Sequence, residues 1–344
     1  MPRAKEAELA KTSRKTMADL ARLAGVNVST VSRALSDSPL VKPETKAEIL
    51  RIAGEIGYSV NVAARHLRRQ SSEAIGIVIP LTPDSEQTIS DPFFLEMVGA
   101  VSEAAADHGY DLIVSLPRAD NEIAERRLLQ TGRADGLIVI GQAGRSERLN
   151  ALGDLKQKIV VWGGHVEEAD YALVGSDNVR GGYMAAAHLL ERGRRHLVFL
   201  GDVALPEVGL RYQGFQAALR ERGLTSEDAA TIHSGFGGRG AMAALRAYLD
   251  SGREVDGVCA ASDVLAMAAI HALNAASMSV PGQVSVVGYD NIGQSALFTP
   301  PLTTIDQNIR QGGQLMVEKL LAQLAGGPVS SSHTPTELIV RGSS

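Results

Sequence analysis

Thr16–Leu35 reads TMADLARLAGVNVSTVSRAL, and its reading decides the fold of the first part of the chain. The spacing predicts two brief helices joined by a tight turn at Gly25. Met17, Leu20, Ala21 and Ala24 on the first, with Val28, Val31, Ala34 and Leu35 on the second, recur at helical intervals and predict a small shared core. Thr16 followed by Asp19 makes a capping-box-like start, the acid replacing the usual Glu or Gln. Gly25 can take the left-handed backbone that ends the first helix. Left over on the second helix are Asn27, Ser29, Thr30, Ser32 and Arg33. These are short or forked hydrogen bonders, suited to phosphates and guanine edges in a major groove. An ordinary helical hairpin with a polar face would use the same pattern.

After the loop Ser36–Lys42, Pro43 stands where a first helical position belongs. The run Glu44–Ile56 offers Ala47, Ile49, Leu50, Ala53 and Ile56 to close a three-helix core. Gly57 then stops the helix, and Tyr58 packs back or reaches a phosphate. Residues 61–69, NVAARHLRR, are basic and long enough for two helical turns, marginal alone in water. Such a segment suits ordering on DNA; a plain linker has the same composition. Charge follows this division. Of 34 Lys/Arg and 39 Asp/Glu in the chain, residues 1–72 hold 13 and 7, leaving 21 and 32 for the remainder. A basic head on an acidic body fits a small module that meets phosphate.

The 344 residues exceed what one domain needs. The single cysteine, Cys259, lies in an apolar run, so no internal disulfide forms and a reducing compartment is expected. The first residues carry charges without a following apolar run, and no stretch approaches the roughly 20 apolar residues of a membrane span. The expectation is a soluble cytoplasmic protein.

From Ala74 the pattern changes to apolar runs of strand length alternating with helical stretches. Strands are expected at 74–80, 110–116, 134–141 and 158–163, then at 196–202, 229–235, 255–262 and 284–290. Helices are expected at 94–108, 122–131, 182–192, 213–222, 242–250 and 263–277. This alternation predicts parallel sheets covered on both faces, in two doubly wound halves with a cleft between them. The late helix 308–325 and the strand 337–340 are expected to cross back and complete the first half. Ligands of open parallel sheets bind beyond the carboxyl ends of the strands. Those ends carry Asp91–Phe94, Trp162–His165, Gly201-Asp202 with Arg211, Phe236, Ser262-Asp263 and Tyr289-Asp290. Arg, Asp, His and aromatic side chains there describe a site for a small polar ligand. Ser262 or Asp263 would equally suit a cap for the next helix, and Phe93 and Phe94 a place in the core. Arg211 is harder to dismiss, since a cation gains nothing from the dipole at a helix start.

TMADLARLAGVNVSTVSRAL, then VKPETKAEILRIAGEIGY, then NVAARHLRR resemble the DNA-binding head and hinge of the lactose-repressor (LacI) family of transcription regulators. The resemblance implies a helix-turn-helix head with a hinge helix, joined to an α/β periplasmic-binding-protein-like body of two doubly wound subdomains. It implies a disordered N-terminal arm at 1–15, a DNA-binding domain at 16–60, a hinge helix and linker at 61–72, and an effector-binding and dimerisation domain at 73–344. Val28 and Ser29 would touch base edges with Arg33, while Thr16, Thr30, Ser32 and Asn61 hold the backbone. Asn27, Tyr58 and Ala64 complete the implied DNA surface, and Leu67 would wedge into the minor groove. In the body, DPFFLE (91–96) matches the segment whose aromatic pair, Phe93 and Phe94, lines the family's pocket. GLRYQGF (209–215) carries the ligand-gripping Arg211, and SGF (234–236) a stacking Phe236. ASDVLAMAAI (261–270) has Ser262 where the family usually has Asn. VSVVGYDN (284–291) supplies Asp290, LTTIDQN (302–308) brings Gln307 near the pocket rim, and Trp162 occupies a pocket-lining position. Two further departures are Val60, where a Pro commonly precedes the Asn, and the long insertion LTPDSEQTIS (81–90).

The implied function is a ligand-responsive repressor of carbohydrate-use genes. It would bind a pseudo-palindromic operator as a homodimer or larger assembly and a sugar-like effector in the cleft, with no cofactor, metal or catalytic residue. Three rivals compete with it. Gly235-Phe236-Gly237-Gly238-Arg239-Gly240 fits G-x-G-x-x-G, with Asp263 as a ribose-binding acid, so a dinucleotide-binding oxidoreductase is a formal alternative. A transport sugar receptor would suit the body but not the basic head. A hydrolase finds no G-x-S-x-G, H-E-x-x-H, Walker loop or C-x-x-C, and the eight His are scattered.

Overall fold

The computed structural model describes residues 15–36, 38–58, 71–81, 87–116, 124–142, 149–166, 169–225 and 229–344. They fall into two compact units, Met1–Ser71 and Ser72–Ser344.

The head holds α1 (Met17–Leu23), α2 (Val28–Leu35) and α3 (Pro43–Glu55). Thr16 Oγ1 accepts the Asp19 backbone N–H at 3.3 Å, and Asp19 Oδ2 accepts the Thr16 N–H at 3.0 Å, closing the capping box. Gly25 turns the chain at φ +64°. Leu20, Ala21, Val31, Ala34, Ile49, Ile52 and Ala53 form the core, with Met17, Ala24, Leu35, Ile56 and Tyr58 packed against it. Three expected core residues are not there: Val28 (46% exposed), Leu50 (48% exposed) and Ala47 face outward. Ile49, Ile52, Ala53 and Ile56 follow the i, i+3, i+4, i+7 stripe, so Ala47 and Leu50 fall off it and Ile52 is recruited.

The body is two lobes, each a six-stranded sheet. In lobe 1, β1 (Ala74–Val78), β2 (Asp111–Ser115), β3 (Gly136–Ile140), β4 (Ile159–Trp162), β5 (Ala172–Ser176) and β11 (Ser332–Thr334) lie in the order β2-β1-β3-β4-β5-β11, all parallel. Alternate residues feed opposite faces. Ile75, Ile77, Ile138, Ile140, Val160 and Trp162 meet α4 (Pro92–Asp107) and α11 (Ile309–Leu324) on one side. Val78, Leu137, Val139, Ile159 and Val161 meet α5 (Ala124–Gln130) and its neighbours on the other.

Lobe 2 repeats the order as β7-β6-β8-β9-β10-β12, from β6 (Leu197–Leu200), β7 (Ala229–Ile232), β8 (Gly257–Ala260), β9 (Ser285–Asp290), β10 (Thr303–Asp306) and β12 (Glu337–Ile339). Its helices are α6 (Asn178–Glu191), α7 (Pro206–Glu221), α8 (Gly238–Asp250), α9 (Asp263–Ala275) and the short α10 (Gly293–Leu297). The chain passes between lobes after β5, after β10 and between β11 and β12. The expected return to the first half is therefore made by α11 and β11. The last strand, β12, pairs antiparallel with β10 in lobe 2, correcting its expected place. β5, β10 and β11 are additions to the expected strands. Helices α6 and α7 cross with their backbones touching: a Cβ on Gly182 would lie 1.8 Å from Arg211 O, and one on Gly214 1.9 Å from Val179 O. That contact sets Asn178 and Arg211 side by side.

Candidate functional site

On the head, α2 presents Val28, Ser29 and Arg33 to solvent, with Thr30 and Ser32 half-buried beside them. Asn27 occupies the N-cap position of α2 without closing a side-chain cap bond. The Thr16 hydroxyl is held by Asp19. Tyr58 packs back, half-buried on the head core, its N–H donating to Ala53 O at 2.8 Å. Asn61, Ala64 and Leu67, with the hinge expected around them, lie outside the described residues, as do residues 1–14 of the arm and 82–86 of the insertion.

In the body, a cavity of about 360 Å³ opens between the carboxyl ends of both sheets, where doubly wound sheets bind ligands. Phe93, Phe94, Trp162, Arg211, Phe236, Ser262, Asp290 and Gln307, spread over more than 200 positions of sequence, all border it. Lobe 1 contributes an apolar wall of Ile79, Phe93, Phe94, Ile140 and Trp162, with Asp91 at its edge. Phe93 lies 5.6 Å from Phe94 and 6.4 Å from Trp162, centroid to centroid. Phe94 and Trp162 also belong to the lobe 1 core, and the Trp162 ring rests on Gly312, where a Cβ would be 2.2 Å away. Asp91 Oδ1 caps α4 by accepting the Phe93 N–H at 3.0 Å, and burial pushes its carboxyl above the usual range.

Lobe 2 contributes an ionic wall built around Arg211. Its Nε donates to Asn178 Oδ1 at 2.8 Å, its Nη1 donates to Ala261 O, and its guanidinium stacks 3.7 Å above the Tyr289 ring. Arg211 sits in the second turn of α7, which starts at Pro206, earlier than expected. The network continues across the lobe boundary. Tyr289 Oη and Ser176 Oγ are 2.8 Å apart, Ser176 Oγ donates to Gln307 Oε1 at 3.2 Å, and Gln307 Nε2 donates to Asp290 Oδ1 at 2.7 Å. Gln307 is thus floor, fully buried, rather than rim. Burial pushes Asp290 well above the usual carboxylate range; Arg211 pulls it back, and the Asp263 and Asp91 carboxylates push it further.

Asp290 holds φ +123° and Asn291 φ +58°, uncommon for side chains other than glycine. The bend carries the chain back into lobe 1: Ile292 is buried in the lobe 1 core, and the Gly293 N–H donates to Glu96 Oε1 of α4 at 2.7 Å. Asp263 fixes the same loop from within, accepting from the Ile292 N–H at 3.0 Å and from the Ser295 and Thr304 hydroxyls. Burial pushes Asp263 up to about 6. A residue that touches the cavity is therefore two positions from a plug joining the lobes.

Some expected residues do other work. Asp263 and Tyr289 support the wall without bordering the cavity, and His165 is exposed away from it, its ring 6.2 Å from His333. Ser262 both borders the cavity and caps α9, accepting the Leu265 N–H at 3.2 Å. Ser176, Asn178, Glu207 and His233 border the cavity without having been expected there. Asn178 and Ser176 follow or end the additional strand β5, and a sequence search for strand ends finds them only once that strand is known. The dinucleotide reading fails on geometry. The 235–240 glycines follow β7, an edge strand away from the point where strand order reverses, and Asp263 is fully buried in three hydrogen bonds.

A head with an exposed hydrogen-bonding helix and a body with a cavity walled by aromatic side chains on one side and charged ones on the other define a class, that of DNA-binding regulators that sense a small molecule. Residues 16–61 match the bacterial regulatory proteins of the lacI family, and residues 186–344 the periplasmic binding protein-like domain. The chain is 32% identical over 318 residues to the HTH-type transcriptional repressor PurR of Pectobacterium carotovorum subsp. carotovorum (strain PC1), covering 90% of each. It is 30% identical over 320 residues to the HTH-type transcriptional regulator CelR of Thermobifida fusca, covering 91% of this chain and 93% of that one. Among solved structures, a lac repressor dimer bound to operator and the anti-inducer ONPF matches with TM-score 0.82 at 23% identity, covering 96% of this chain and 99% of that one. A CelR–cellobiose complex matches with TM-score 0.69 at 28% identity, covering 96% and 100%. The chain belongs to the lacI family of bacterial regulatory proteins and is a DNA-binding transcription regulator. Among the described residues no helix is long and apolar enough to cross a membrane.

Proposed function

We propose that this regulator represses carbohydrate-use genes by binding a pseudo-palindromic operator as a homodimer and releasing or gripping it when a sugar-like effector enters the inter-lobe cavity. Residues 16–60 act as the DNA-binding domain, 61–72 as the hinge and 73–344 as the effector and dimerisation body. Val28, Ser29 and Arg33 read base edges; Thr16, Thr30, Ser32 and Asn61 hold the backbone; Asn27, Tyr58 and Ala64 complete the DNA surface, and Leu67 enters the minor groove. Phe93, Phe94, Trp162 and Phe236 pack the apolar faces of the ligand, and Arg211, Ser262, Asp290 and Gln307 bond its hydroxyls.

The observation that carries this reading is the pairing of an aromatic wall with an ionic one, the grip that sugar rings and hydroxyls call for. The cellobiose bound by the CelR neighbour supports a sugar. For assembly, Leu297 is 86% exposed and precedes Phe298, which lines a groove with Met242, Val264, Met267, Arg239 and His271, and the lac repressor neighbour is a dimer. Effector contact at Asp290 bears directly on the Ile292 plug, a route to the coupling of about 1–3 kcal/mol common in allosteric proteins. Thermal shift against mono- and disaccharides tests the effector: stabilisation by at least one is expected, and none would turn the reading towards nucleobases or phosphorylated ligands. Arg33→Ala should abolish operator-specific binding with the body still folded, and normal operator affinity in that variant would remove α2 from the account.

A further inference from the structure

The ionic wall carries one carboxylate oxygen that the protein leaves unsatisfied. Glu207 is the second residue of α7, directly after Pro206. It borders the cavity, and its Oε2 is buried with no hydrogen-bond partner. Lobe 1 closes over its backbone, since a Cβ on Gly164 would lie 3.1 Å from Glu207 Cα. A buried acceptor without a protein donor costs stability, and a hydroxyl that enters the cavity can supply one. Neighbouring groups do not. Arg211 is held by Asn178, Ala261 O and the Tyr289 ring, and His233 Nδ1 faces Asp202 Oδ1 at 3.5 Å. Asp290 is likewise an acceptor, already bonded to Gln307.

We propose that Glu207 is a specificity-determining residue of the pocket: its carboxylate accepts a hydrogen bond from a hydroxyl of an uncharged effector and excludes phosphorylated and carboxylated ligands. This rests on the reading of the cavity as the effector site. It adds the sign of the charge the ligand can carry, which neither the aromatic wall nor Arg211 fixes. A phosphate near Glu207 would meet a carboxylate of like charge, and Asp202 and Asp290 line the same cavity.

The test uses the full chain as wild type, Glu207→Gln and Glu207→Ala. Melting temperature of each free protein is read first, then calorimetric affinity for cellobiose, glucose, ribose, glucose 6-phosphate, ribose 5-phosphate, adenine and hypoxanthine. Free Glu207→Ala should melt at or above the wild-type temperature because the orphaned acceptor is removed, and Glu207→Gln should do so because its amide leaves no unpaired charge beside the cavity. The neutral ligand that binds should bind Glu207→Ala at least tenfold more weakly and Glu207→Gln in between, since Gln keeps an acceptor oxygen. Each phosphorylated sugar should bind wild type at least tenfold more weakly than its parent sugar where the parent binds. The proposal is overturned if both variants melt lower, if Glu207→Ala keeps wild-type affinity within twofold, or if a phosphorylated sugar is the better ligand. Binding of a nucleobase instead of any sugar, with tenfold loss in Glu207→Ala, would remove the sugar and leave Glu207 in place.

Discussion

The two lobes of the body share one strand order and face one cavity, yet they build opposite walls. Lobe 1 ends its strands on side chains that also belong to its core, such as Ile79, Phe94, Ile140 and Trp162. Lobe 2 ends its strands on charged and polar groups, Asp202, Arg211, Ser262 and Asp290, held by neighbouring amide side chains and by the backbone. A topology repeated twice thus fixes where a ligand sits but not what it is. The chemistry lies in the few residues after each strand, and the asymmetry lets one lobe supply shape while the other supplies hydrogen bonds and charge. Breaking each wall should therefore give different losses.

The largest effect is expected on the ionic wall. Arg211→Met removes the cation that faces the buried Asp290 and strands Asn178 Oδ1 and Ala261 O. Breaking a buried charged network by removing one partner costs about 3–5 kcal/mol. Denaturant unfolding should show that loss, together with loss of effector binding; a stability change under 1 kcal/mol would mean that the wall is solvated. A smaller effect is expected where the walls are joined. Ile292 leaves lobe 2 to fill the lobe 1 core, so Ile292→Ala should cost about 2–5 kcal/mol through transfer and cavity terms. It should also weaken the effector's influence on operator affinity, whereas an equal truncation on one lobe's own face, such as Leu219→Ala, should cost stability without changing that influence. Equal coupling in the two variants would take the plug out of the switch.

The same contrast shows what is legible in the sequence. Strands β1, β3, β4, β6, β8 and β9 are buried, largely apolar runs, and their reading survives in the structure to within about two residues at each end. β10 is Thr303-Thr304-Ile305-Asp306, and hydropathy gives no sign that it is a central strand. It is buried because partners satisfy its polar groups: the Thr304 hydroxyl donates to Asp263, and the Thr303 N–H to Ser343 Oγ at 2.8 Å. β11 is three residues on an edge. β12 reads as part of the wrong lobe because three crossings of the lobe boundary leave no trace in local periodicity. Of the candidate site, residues at the ends of visible strands are legible. Glu207 is not, because its significance is an absent partner, and that is a property of packing alone.

Protonation offers a finer test of the lobe 2 wall. Burial lifts Asp263 to about 6, while the unfolded chain releases that proton near the ordinary value of 3.8. Between those values the folded state holds a proton that the unfolded state has lost, so Asp263 should make the stability of the body fall as pH rises from about 4 to 6. At 1.36 kcal/mol for each pH unit between the two values, the share of Asp263 in the decline amounts to about 3 kcal/mol at most. Asp290, also raised by burial, acts in the same direction. Unfolding curves across that range should show the decline, and stability rising with pH there would mean that ionised Asp263 is fully compensated by Ile292, Ser295 and Thr304.

The smallest effect separates two roles of one atom. Ser262 Oγ caps α9 through the Leu265 N–H and borders the cavity, so Ser262→Ala should cost about 1 kcal/mol of stability, the usual worth of an N-cap, and should also change ligand affinity if the hydroxyl reaches the ligand. Ser262→Asn keeps a side-chain oxygen able to cap, places a longer amide at the cavity edge and matches the residue usual at this point of the family's motif. Its stability should stay within about 0.5 kcal/mol of wild type, in line with the near-equal capping ranks of Ser and Asn. A change in ligand preference without a change in stability would then belong to the cavity alone. If both variants lose stability equally and neither alters ligand binding, Ser262 is a cap that happens to stand at the wall, and the ligand-facing surface of lobe 2 is left to charged groups such as Asp202, Glu207, Arg211 and Asp290.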